Sequence, residues 1–163
     1  MPFFTRPLVA AACALAQPLV VLPLVAAPAP ALASTHAGSA DAQAMLARAV
    51  AELQGVGPAR AFAEFNAQQG PFHDKDLYVF VFSLDGRYEA SGADPRLVGT
   101  SVAEMTDAEG TPLVRQMMTL ANAKGAGRVD YVWLNRNDNR VEHKRSLVQR
   151  VGNHIVGVGY YAG

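Results

Sequence analysis

The 163-residue sequence predicts an α+β domain, a five-stranded antiparallel sheet with helices packed on it, and three observations lead there. The run from Gly125 to Tyr161 divides into three stretches rich in Val, Tyr and Trp, side chains that suit a pleated surface. Arg136-Asn137-Asp138-Asn139 and Gly152-Asn153 separate them, so they read as an antiparallel meander. Upstream, Asp85-Gly86 joins two further strand-like runs and is the dipeptide most typical of a two-residue hairpin. Helical spacing occurs before this hairpin and between it and the meander, not after every strand, which argues against a βαβ arrangement.

Residues 1–33 stand apart from that domain. Met1 to Arg6 carries one positive charge, Leu8 to Val25 is almost wholly apolar, and Ala31-Leu32-Ala33 is a small-residue cleavage site ahead of Ser34, the pattern of a secretory signal. Pro18, Pro23, Pro28 and Pro30 interrupt the helix that a retained anchor would need. Cys13 does not read as a lipidation site, because Ala10-Ala11-Ala12 lacks the large aliphatic residue expected three positions before such a thiol. Loss of the signal removes this one cysteine, so neither disulfides nor thiol chemistry are expected in the remainder. Residues 34–163 then carry a net charge of −1, which recommends neither nucleic acid nor an anionic membrane surface as a partner. No further apolar run approaches the ~20 residues that cross a bilayer. The expected organisation is a linker over 34–40 and one domain over 41–163, in the periplasm or outside the cell, with no membrane association after cleavage and no output domain following Gly163.

Within the domain, Asp41 to Gln54 reads as a helix, with Met45, Leu46, Ala49, Val50 and Leu53 forming one stripe and Asp41 placed as a cap or first-turn acid. Gly55 and Gly57-Pro58 end it, and Ala59 to Gln68 forms a second helix that buries Phe62 and Phe65 before Gln69-Gly70-Pro71. Asp76 to Leu84 is a strand with Val79 and Val81 on one face and Tyr78, Phe80 and Phe82 on the other. Both faces are apolar, as in a central strand covered on both sides. Its hairpin partner is Arg87 to Ser91. Gly92 to Gly110 reads as an ordered loop with one short helical turn, a length that favours a functional role. Thr111 to Lys124 returns to helical spacing through Leu113, Met117, Leu120 and Ala121.

Alternation sorts the meander by face, with Val129, Tyr131 and Trp133 together. A two-residue loop at Asp138-Asn139 would set Trp133 opposite Lys144 and Tyr131 opposite Ser146, an aromatic floor beside an ammonium. A three-residue loop would set Lys144 opposite Val132 and turn it to the other face. The sequence admits both.

Taken in order, Ala63-Glu64-Phe65-Asn66, Gly70, Phe72, Asp76-Leu77-Tyr78-Val79-Phe80, Asp85-Gly86, Asp94-Pro95 with Leu97 and Gly99, and Asp107 with Gly110 form one series. Gly125-x-Gly127, Val129-Asp130-Tyr131-x-Trp133 and Lys144-x-Ser146 complete it. The series resembles a single Cache domain of type 2, in its free-standing periplasmic form, over about residues 41–161. The resemblance implies a PAS-like sheet that holds a pocket for a small molecule, often a short organic acid, and a role in chemotaxis or related signal transduction. The chain departs from the family pattern at Ser91, where a His is common, at Leu134-Asn135, where a Pro often follows the Trp, and at Leu147, where an aromatic often follows the Ser.

Lys144 is the sharpest ligand-binding candidate, since an ammonium in an enclosed pocket offers a full charge and several donors to a carboxylate. The competing reading is a solvated strand lysine. Tyr131 and Trp133 are candidate pocket walls with a hydroxyl and an indole N–H as handles, or else a core aromatic pair. Tyr88 and Ser91, where the hairpin meets the long loop, are further candidates, though each also suits a plain edge strand. His36, His73, His143 and His154 are dispersed without ligand spacing, so neither metal nor cofactor is expected. Asp138 lies in a turn that lacks the Gly and Glu of a calcium loop. His143 and Ser146 fall on opposite faces of one strand, and Gly125-x-Gly127 precedes a strand rather than a helix, so catalysis and phosphate binding are not supported. Two functions fit: a sensor for a small organic acid, or an accessory module that docks on a receptor or on itself.

Overall fold

The computed structural model describes residues 36–136 and 139–162. The signal assigned to residues 1–33 and the turn residue Asp138 lie outside the described residues. Among the described residues no helix is long and apolar enough to cross a membrane.

Helix α1, Ser39–Val56, starts two residues before the expected Asp41. Asp41 is its first-turn acid, and its carboxylate reaches back to accept from the Gly38 amide at 3.0 Å. The expected apolar stripe is buried together with Ala42, so it is spent inside the domain. Helix α2, Pro58–Phe65, takes Pro58 in its first turn and ends three residues short of Gln68. Asn66 accounts for the early stop, because its side-chain oxygen accepts the Ser91 amide at 2.8 Å and ties the helix end to the sheet. Phe65 is buried edge-on to Phe72, whereas Phe62 is only partly covered, against His154.

The sheet has six strands: β1 His73–Asp74, β2 Leu77–Ser83, β3 Tyr88–Ser91, β4 Ala126–Asn135, β5 Arg140–Val151 and β6 His154–Tyr161. Five of them are the expected ones, and the two-residue β1 pairs with the start of β2. All pairings are antiparallel in the order β1-β2-β6-β5-β4, with β3 also on β2, so the last strand of the meander lies beside the first hairpin. The hairpin at Asp85-Gly86 is wider than two residues. Gly86 donates to the Ser83 carbonyl and adopts φ +76°, and Ser83 pairs with Arg87, which leaves three residues in the loop and a bulge between Val81 and Phe82.

Each face of β2 meets a different partner, as its double apolar character requires. Leu77, Val79 and Val81 pack with α1, α2, Val156 and Val158. Phe80 and Phe82 pack on the other side with helix α3, Leu113–Lys124, and with Val102 of the long loop. That loop contains a 3-10 turn at Pro95–Leu97.

Asp107 holds the loop in place. One carboxylate oxygen accepts the amides of Glu109 and Thr111 at 3.0 and 2.7 Å, and the other accepts Val132 of the edge strand β4 at 3.0 Å. Thr111 is thereby drawn out of the helix expected to begin with it, and α3 starts at Leu113 instead. Burial pushes the Asp107 carboxyl up, but the hydrogen bonds from Val132, Thr111 and Glu109 outweigh it and leave it below its ordinary value. Its contribution is therefore full above the unfolded carboxyl pKa and is lost as pH falls through the lower folded value. Asp107→Ala should cost about 2–4 kcal/mol in urea unfolding at neutral pH, since it orphans amides that bond a charged acceptor. A loss under about 0.5 kcal/mol would exclude this role.

Candidate functional site

The face of the sheet that carries Phe80 and Phe82 also carries a polar cluster. The β4–β5 register sets Tyr131 opposite Lys144, Trp133 opposite Glu142 and Val129 opposite Ser146, and the pair closes at Asn135 and Arg140. Four residues therefore connect the strands, and neither the two-residue nor the three-residue register occurs. The cause is local. Asn139 adopts φ +59° and donates to the Asn135 carbonyl at 2.8 Å, closing a wider turn. Relative to the two-residue register the strand moves by an even step, so Lys144 keeps the face of Tyr131 and Trp133.

Lys144 is buried, with 1% of its surface exposed. Its Nζ donates to the Tyr78 hydroxyl at 3.1 Å and lies 4.5 and 4.2 Å from the ring centroids of Tyr78 and Tyr161. Two ring faces thus supply part of what the ammonium loses in leaving water. Desolvation still wins and pulls Lys144 down to about 7; the nearby charge of Asp76 opposes this and that of Arg136 adds to it. Strand β6 makes room for the cluster with glycine. A Cβ on Gly159 would stand 2.6 Å from Lys144 Cε and 2.8 Å from Ser146 Oγ, and one on Gly157 would stand 2.2 Å from the Phe80 ring.

Of the other predicted residues only Tyr131 pairs with Lys144 across the strands, and the rest are held by contacts of their own. The Tyr131 hydroxyl and Ser146 Oγ share a buried 2.8 Å hydrogen bond, and burial pushes the Tyr131 phenol well up. Trp133 is half-buried and edge-on to Tyr131 at 6.0 Å. Tyr88 packs on Phe82 at 4.8 Å. The Ser91 hydroxyl accepts the Asp94 amide at 3.2 Å, which engages it in the turn into the long loop.

A cavity of about 90 Å³ lies beside Lys144, with Asp76, Tyr78, Ala93, Leu134, Arg136 and Tyr161 in its wall and His73 and Lys75 at its β1 side. None of the five sequence candidates lines it directly. Lys144 stands behind Tyr78 and Tyr161, the two rings that contact its ammonium. Burial pushes the Tyr78 phenol up to about 12, against the pull of Arg136, and raises that of Tyr161 too. The Tyr161 hydroxyl donates to the Leu134 carbonyl at 2.9 Å, which fixes that wall. The Asp76 carboxylate accepts from the Ala37 amide and the His36 ring, both at 2.9 Å, and so links the residues before α1 to the cavity. Sequence reading did not single out Asp76, Tyr78, Arg136 or Tyr161, which line this cavity. The available signal was Gly157 and Gly159, alternate glycines in a strand, which mark close approach of other groups on one face.

An antiparallel sheet in this order, with two helices on one face and a long loop and a third helix on the other, is a PAS-like fold. The chain belongs to the family Single Cache domain 2, which matches residues 34–163. It is thus a Cache domain, with the PAS-like fold of its structural neighbours. Among solved structures, it is similar to a methyl-accepting chemotaxis protein from Vibrio parahaemolyticus RIMD 2210633, at TM-score 0.64 and 18% identity over 75% of this chain and 86% of that one. It is also similar to a Cache chemosensory domain described for carboxylic acid recognition, at TM-score 0.59 and 23% identity over 76% and 88% of the two chains. The periplasmic sensor domain of a chemotaxis protein matches at TM-score 0.58 and 23% identity over 76% and 90%. At these identities the likeness is one of fold. No curated protein matches the sequence.

Proposed function

We propose that this domain senses a short organic acid, whose carboxylate takes the place of the Tyr78 hydroxyl on Lys144. The carrying observation is the buried ammonium itself: among the described residues no carboxylate lies within ion-pair distance of Nζ, and its partners are a phenol and two ring faces. A buried charge so held is costly to the free protein, and an incoming carboxylate supplies the missing counter-charge. The cavity, of about 90 Å³, is roomy enough for a small ligand. The carboxylic acid recognition described for one structural relative supports the same class. Export by residues 1–33, followed by their removal, and action through a separate receptor belong to this proposal.

A thermal-shift screen against short mono- and dicarboxylates tests it; no shift with any acid at millimolar concentration would remove the reading. The pH dependence has a definite sign. A carboxylate binds the protonated amine, so affinity should be flat below about pH 7 and weaken up to about tenfold per pH unit above it. Tyr78 and Tyr161 stay protonated over this range because burial raises both. Calorimetric titration with propionate from pH 6 to 9 reads this directly, and a pH-independent affinity would exclude Lys144 as the anchor.

A further inference from the structure

Arg136 belongs to the walls of two compartments. The cavity beside Lys144 shares Arg136 and Ala93 with an adjoining pocket of about 360 Å³, whose other side is formed by Asp94 and Arg96. Between them Arg136 Nη1 donates to the Ala93 carbonyl at 3.4 Å, a bond near the long limit. The two neighbouring arginines differ in what they hold. Arg96 is gripped by Asp94 through two hydrogen bonds of 2.8 Å, whereas among the described residues no carboxylate lies within ion-pair distance of Arg136. Arg136 is also close enough to weigh on the charge of Lys144. Arg136 thus lines the small cavity, while Lys144 lies behind the Tyr78 and Tyr161 rings of the same wall. The carboxylate in its wall, Asp76, is already engaged by His36 and the Ala37 amide, and Lys75 adds further positive charge at the rim.

Resting on the acid-binding reading of this site, we propose that Arg136 receives a second carboxylate, so that the ligand is a short dicarboxylate spanning Lys144 and Arg136. A guanidinium presents paired donors that match a carboxylate in the plane, and the long bond to Ala93 is readily given up for it. An acid with an apolar tail would bring a methyl group to the guanidinium instead and gain nothing there.

The experiment compares malonate and succinate with propionate and butyrate by calorimetric titration at pH 6.5, on the wild type, Arg136→Gln and Arg136→Lys, each with its unfolding midpoint recorded. The wild type should prefer the dicarboxylates by about tenfold or more. Arg136→Gln should remove that preference while changing monocarboxylate affinity less than about threefold, and Arg136→Lys should keep part of it as a charge without the paired donors. Equal binding of mono- and dicarboxylates by the wild type, or an equal loss of both in Arg136→Gln, would overturn this inference and leave the acid-binding reading standing. Failure of every acid to bind the wild type would overturn both.

Discussion

Lys144→Met should weaken acid binding by roughly ten- to a hundredfold and at the same time stabilise the free domain, by on the order of 3 kcal/mol at pH 6. The first effect follows from losing the ammonium, whose hydrogen-bonded contact with a carboxylate is worth about 1.5–3 kcal/mol. The second follows from linkage. In the unfolded chain this amine titrates near its ordinary 10.5, and in the folded domain it titrates at about 7. Between those values the unfolded state holds the proton and the folded state does not, so stability rises with pH across the window. Below about pH 7 both states are protonated and the full cost of the buried charge is present. The shift corresponds to about 4–5 kcal/mol for the charge itself, and the hydrogen bond to Tyr78 and the side-chain packing that methionine does not reproduce bring the expected gain down. The stabilisation should therefore be largest at pH 6 and shrink toward pH 10. Urea unfolding of both proteins across that range measures it. A destabilised Lys144→Met at pH 6 would show that the lysine is held by interactions stronger than its desolvation.

Gly157→Val should cost about 3 kcal/mol or more, through a different mechanism. A side chain there meets the Phe80 ring at 2.2 to 2.3 Å, inside a cluster where Phe80, Val148 and Ile155 are buried and cannot move aside cheaply. The contact is specific, so Phe80→Leu in the same chain should restore part of the loss, and the double-mutant cycle should show coupling of about 1 kcal/mol or more. Strict additivity would place the cost elsewhere. Gly159→Ala provides the contrast, because its clash is with the outer methylenes of Lys144 and the Ser146 hydroxyl, groups of the site rather than of the apolar core.

The elements that rest on local pattern were legible in the sequence. Alternation along β2 separated Val79 and Val81 from Tyr78, Phe80 and Phe82, and the structure gives those two sets to two different core clusters. The same alternation put Tyr131 and Trp133 on one face. What local pattern does not encode is how far a turn reaches. Asn139 in the left-handed region can close a two-residue or a four-residue connection, and the difference moved Lys144 from Trp133 to Tyr131. The cavity wall was harder still to read. Asp76 precedes β2, Ala93 follows β3, Arg136 follows β4 and Tyr161 ends β6, so the wall exists only because β6 crosses to pair with β2. No spacing along the chain announces that meeting.

The central claim is that one buried lysine changes from a costly free charge to a paired one when acid binds. Proton uptake on binding tests it most directly, measured by titrating propionate or malonate at pH 8 in buffers of different ionisation enthalpy. With free Lys144 titrating at about 7, most of the protein is deprotonated there, and the account predicts uptake of close to one proton per acid bound by the wild type. Binding with no proton uptake at pH 8 would contradict it.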